Sequence, residues 1–68
     1  MSQLDFFGEI PRNSEDSIKV FHGQYWKIEV IDFRWYKNDK PTKKGIRINK
    51  EEATVLYRML GQILEEEE

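Results

Sequence analysis

Apolar positions along this chain follow two rhythms. From Leu4 to Ile48 they come in short, strand-like runs, and from Val55 to Leu64 they recur at helical spacing. Leu4 to Ile10 reads as a short edge strand, and Pro11 to Asp16 as a polar loop opened by proline. Ser17 to His22 has the β-branched and aromatic make-up of a strand, with a tight turn expected at Gly23-Gln24. Tyr25 to Lys37 is the longest strand candidate. Within it Ile28 and Val30 share one parity, while Ile31, Phe33 and Trp35 take the other. The segment therefore either bulges near Val30-Ile31 or is covered on both faces. Asn38 to Thr42 has the composition of a turn. Lys43 to Ile48 returns as a strand in which Gly45 marks a bend or a close backbone approach. Strands joined by such short links pair antiparallel.

The period then lengthens. Asn49 is a good N-cap, and Glu52 stands at the spacing of a reciprocal capping box. Val55, Leu56, Met59, Leu60, Ile63 and Leu64 form one apolar stripe. A helix from Lys50 to Leu64 reaches about 22 Å. Gly61 within it either costs roughly 1 kcal/mol against alanine or lets another backbone come close. Strands followed by one helix make an α+β domain. Its parts are an edge strand and loop over 1–16, a basic sheet over 17–48, the helix over 49–64 and an acidic tail over 65–68. The tail lies at the unfavourable end of the helix dipole and should fray. It either solubilises the chain or competes with a ligand for the basic surface.

Length changes the picture. The chain has 68 residues, no cysteine and one histidine, which excludes disulfides, thiolate chemistry, a His-based triad and a multi-histidine metal site. So small a domain buries only about 60% of its unfolded surface, and a core of this size rarely supplies more than about 3–5 kcal/mol. Association is the remaining remedy, so a homodimer is expected. The helix stripe must pack on its own sheet, and its surplus marks a partner interface at Val55, Met59, Leu60 and Ile63. No apolar stretch is long enough for a membrane span or a signal-peptide core, which makes an intracellular location (cytoplasm or nucleoid, or a nucleus) the expectation.

Catalysis finds little support. Asp32 and Glu29 stand three apart on a strand and point to opposite faces. His22 has a structural or solvated role. Phosphate-loop and metal-ligand spacings are lacking, so no cofactor and no metal are expected.

Charge is segregated along the chain. The net charge of −2 divides into −3 over residues 1–16, +6 over 17–50 and −5 over 51–68. The middle is therefore basic, whatever the average says. Seven of the nine aromatic residues fall between Phe21 and Tyr57, interleaved with cations from Lys19 to Lys37. Unpaired nucleic acid is held by this combination, because cations follow phosphates while rings stack on bases. The plainer alternatives are solvating lysines and core aromatics, and the latter reading is preferred for Phe6, Phe7 and Phe33. For Tyr25, Trp26 and Tyr36 spacing leaves both open.

Ile31-Asp32-Phe33-Arg34-Trp35-Tyr36, then Pro41-Thr42-Lys43-Lys44-Gly45-Ile46-Arg47-Ile48, then a helix capped at Asn49, resembles the positive cofactor four family of transcriptional coactivators and their bacterial and phage relatives. The resemblance runs from about Trp26 to Leu60. It implies a curved four-stranded antiparallel sheet followed by one helix, in a homodimer that holds single strands running in opposite directions. By position, Arg34, Lys43 and Lys44 fall on backbone-contacting cations, and Tyr25 or Trp26 near a stacking aromatic. The turn at Asn38–Thr42 is shorter than in the eukaryotic coactivators. Lys37 stands where those proteins tend to carry a stacking tryptophan, leaving Trp35 or Tyr36 to compensate, and their Ser-rich arm is missing. A compact bacterial or phage-type member is expected.

The resulting expectation is a non-enzymatic homodimer that binds single-stranded DNA with little regard to sequence, in transcription, replication or recombination. Lys19, Lys27, Arg34, Lys43, Lys44 and Arg47 would neutralise phosphates, and Tyr25, Trp26 and Tyr36 would stack on bases. The alternative is a protein-interaction module that contacts a polymerase or another replication protein.

Overall fold

A computed structural model describes residues 3–65. Four strands, β1 (Gln3–Pro11), β2 (Asp16–Tyr25), β3 (Ile28–Lys37) and β4 (Lys40–Asn49), precede one helix, α1 (Lys50–Glu65). The strands form an open antiparallel sheet in the order β1-β2-β3-β4, so every pairing joins sequence neighbours. The fold class is α+β, a four-stranded antiparallel sheet followed by a C-terminal helix.

The turns differ from the sequence expectation. Gly23-Gln24 is not a turn but lies inside β2, with Gly23 between Leu4 and Val30. A side chain there would collide with the Gln3 carbonyl, so this glycine serves a close strand crossing. The reversal occurs at Trp26-Lys27, with φ of 55° and 68°, and again at Asn38-Asp39, with φ of 52° and 67°. Both are two-residue loops, closed by Tyr25–Ile28 and Lys37–Lys40 pairs. Two successive positive φ values suit the right-handed twist of a tight hairpin. Asn-Asp advertises such a loop, whereas Trp-Lys does not.

No bulge interrupts Val30-Ile31, because the β2–β3 ladder runs unbroken from Asp16–Lys37 to Tyr25–Ile28. The irregularities lie in the outer ladders. Phe7 is extra between Phe6 and Gly8 in β1, and Thr42 to Lys44 stand opposite Trp35 in β4. Gly45 follows that bulge, where a Cβ would meet the Phe33 carbonyl and the Arg34 guanidinium.

Alternation along this register sorts the side chains onto two faces. One carries Phe6, Lys19, Phe21, Tyr25, Asp32, Arg34, Tyr36 and Arg47, and is called here the cationic face. The other carries Ile18, Val20, Ile31, Phe33, Trp35, Ile46 and Ile48, the apolar face. Val30, beside the helix junction, is the one buried hydrophobic among the described residues.

Helix α1 begins as its sequence dictates. Asn49 Oδ1 accepts from the Glu52 amide at 2.8 Å, and Glu52 Oε1 accepts from the Asn49 amide at 2.9 Å. The expected packing of its stripe on the sheet does not occur. Among the described residues the helix meets only β3 and β4, Ala53 and Leu56 alone of its residues are half-buried, and Val55, Met59, Leu60 and Ile63 stand exposed. The radius of gyration is 13.4 Å, against about 11 Å for a close-packed chain of this length. The core assignment of Phe6 and Phe7 is corrected too, since both are exposed. They lie on an edge strand that the departing helix does not cover. Phe33 is half-buried on the apolar face. Of the acidic tail, Glu66 to Glu68 lie outside the described residues.

Candidate nucleic-acid interface

Period-two alternation puts Asp32, Arg34 and Tyr36 side by side on β3, with Lys19 and Phe21 facing them from β2 and Arg47 from β4. Asp32 is the anchor. It is 5% exposed and accepts two hydrogen bonds from Arg34 Nη2, at 3.0 and 3.2 Å. Arg47 Nη2 lies 3.6 Å from Oδ2, the oxygen that takes the longer of these two bonds. A buried carboxylate with two guanidiniums is compensated, and it fixes both cations on the sheet surface. Arg34 Nη1 also reaches the Lys43 carbonyl at 3.5 Å across the β4 bulge.

Two cations of this face sit on rings. The Arg47 guanidinium lies 4.4 Å from the centre of the Tyr25 ring, and the Lys19 ammonium 4.4 Å from that of Tyr36. Lys19 Nζ also pairs with Asp39 at 3.0 Å. That hydrogen bond raises the lysine pKa above its ordinary value, against the opposing effect of burial. Tyr25 and Trp26 meet edge to face at 6.1 Å, and the left-handed turn leaves Trp26 69% exposed.

The structure thus brings Lys19, Tyr25, Arg34, Tyr36 and Arg47 onto one face. Trp26 and Lys27 form the turn at one end of it, and Lys43 and Lys44 lie exposed in the bulge beside Arg34. Trp35 falls on the apolar face, with the Arg12 guanidinium 4.8 Å over its ring. Of the two candidates to replace the tryptophan at Lys37, only Tyr36 shares the cationic face. Sequence reasoning missed Phe21 and Phe6, whose rings meet at 5.8 Å. Phe21 was findable, since it shares parity with Lys19 and Tyr25. Phe6 joins them only through the β1–β2 register, which depends on the Phe7 bulge.

His22 and Glu29 pair at 2.7 Å through Nε2 and Oε2, across the sheet from Asp32. The hydrogen bond from His22, with help from Lys50, holds the Glu29 carboxyl below its usual range. Among the described residues no cluster of three or more His, Cys, Asp or Glu could hold a metal ion, and no helix is long and apolar enough to cross a membrane. Comparison with known protein families, curated proteins and solved structures finds no match.

Proposed function

We propose that this chain is a single-stranded DNA-binding protein that acts as a homodimer, tolerates any base sequence and holds unpaired or melted DNA during transcription, replication or recombination. It is a binding protein rather than an enzyme, working inside the cell. The observation that carries the reading is the gathering of Lys19, Arg34 and Arg47 with Tyr25 and Tyr36 on one sheet face, flanked by Trp26, Lys27, Lys43 and Lys44. Phosphates would follow the cations and bases would meet the rings. The opposite face and the α1 stripe supply the means of pairing. In one chain that face is apolar and only half-buried and the stripe is exposed, and Val55, Met59, Leu60 and Ile63 would close against a second copy, with the two sheets curving around opposed strands.

A salt series comparing single- and double-stranded oligonucleotides tests the reading. Single strands should bind more tightly, with a log–log salt slope of about −0.7 per phosphate neutralised. Tryptophan fluorescence should fall on adding oligothymidine and lose that response in Trp26→Phe, because Trp35 lies on the other face. Equal affinity for duplex, or indifference to salt, overturns the proposal. The protein-interaction reading draws on the carboxylates Asp32 and Asp39 already paired with Arg34 and Lys19. It predicts a silent titration beside capture of a polymerase.

A further inference from the structure

Phe6 and Phe21 are the rings on the cationic face that the phosphate-and-base scheme leaves without a role, and Phe6 is the exposed one of the two. It is 57% exposed, although its neighbour Phe21 meets it at 5.8 Å with planes 72° apart. That edge contact fixes the ring and leaves most of its surface open. Phe21 in turn lies 6.4 Å from Tyr36, whose ring already carries the Lys19 ammonium. Tyr36 thus links the Lys19 ammonium to Phe21, and Phe6 is the most exposed ring of this row.

A hollow of about 370 Å³ opens beside Phe21, lined by the apolar Leu4, Phe21, Tyr36 and Pro41 and by the polar Arg34, Asp32 and Thr42. Arg34 is fixed there by Asp32 and cannot swing away without breaking two hydrogen bonds. Asp32 and the Lys43 carbonyl take only some of the five guanidinium N–H groups, so an occupant with acceptors matches this wall better than a purely aliphatic one. A nucleobase satisfies both walls, since its π-face suits the rings and its carbonyl and ring-nitrogen acceptors suit guanidinium donors.

We propose that Phe6 is a stacking station for one unpaired nucleobase at the β1 edge, reached across Phe21 from the neighbouring hollow, which Phe6 itself does not line. The proposal rests on the single-strand reading above and adds a contact at the β1 end, away from the Tyr25-Trp26 turn.

Titration of labelled oligothymidine into the full-length protein tests it. Phe6→Leu keeps apolar bulk but removes the ring, and should weaken binding by about 5- to 150-fold, the equivalent of one lost stack. Phe6→Trp should retain wild-type affinity. An abasic oligonucleotide of equal length should bind wild type and Phe6→Leu alike, because it offers nothing to stack. Unchanged thymidine binding by Phe6→Leu overturns the station and leaves the single-strand reading standing. An equal loss on abasic and thymidine strands also overturns it, since Phe6 would then act through the fold. Failure of the wild type to bind overturns both proposals. Should Phe6→Leu not fold, Phe6→Trp placed in a Trp26→Phe background decides. Quenching by oligothymidine beyond that of Trp26→Phe alone supports the station, and no increment refutes it.

Discussion

Asp32 and Asp39 show how two carboxylates can play opposite parts on one basic surface. Asp32 is buried and fixes Arg34 and Arg47 where a strand of phosphates would pass. Asp39 is exposed, and it occupies Lys19 from outside. A phosphate must displace Asp39 to reach that ammonium. Asp39→Asn should therefore tighten single-strand binding at low salt and steepen the salt slope by up to about 0.7, the share of one extra phosphate contact. Asparagine tolerates the left-handed backbone at this position, so the fold should stand. An unchanged slope in a salt titration would show that Lys19 takes no part. Asp32 was legible as a strand residue on the face opposite Glu29, and the structure keeps them apart as alternation requires. Its double pairing was not legible, because Arg47 reaches it only through the β3–β4 register.

At the scale of elements, the Trp26-Lys27 hairpin carries strain at a place where the proposed function needs a displayed ring. Side chains other than glycine, asparagine or aspartate in the left-handed region cost about 1–2 kcal/mol each, and strain of this kind tends to gather at functional sites. Replacing the pair by Trp26→Asn with Lys27→Gly should raise stability in urea unfolding by up to about 2–4 kcal/mol while weakening binding of oligothymidine. A stabilised variant with unimpaired binding would remove Trp26 and Lys27 from the interface. The sequence pointed to Gly23-Gln24 for this turn because glycine and glutamine look like turn residues locally. Long-range pairing decided otherwise, since two extra β2 residues complete the ladder to Gln3 and Glu29. The Asn49–Glu52 capping box, by contrast, is local chemistry and formed as its spacing required.

The molecule leaves its helix stripe exposed and its apolar sheet face only half-buried. Folding of such a chain should be linked to association, so apparent stability should rise with protein concentration. Leu60→Asp places a charge in the middle of the stripe. Sedimentation should show a dimer for the wild type and a monomeric or unfolded chain for this variant. A Leu60→Asp dimer indistinguishable from the wild type would remove α1 from the interface. In that case the apolar face of the sheet would have to carry pairing alone.

Periodicity, capping residues and segregated charge are short-range properties, and they determined that strands precede one capped helix and that the middle of the chain is basic. Where the strands turn, which outer ladders bulge and that Phe6 stands beside Phe21 were settled by hydrogen bonding between distant segments. So was the course of α1, whose apolar stripe demands burial but does not say against what. Alternation can assign a residue to a face of its own strand, but only tertiary pairing joins the faces of four strands into one surface.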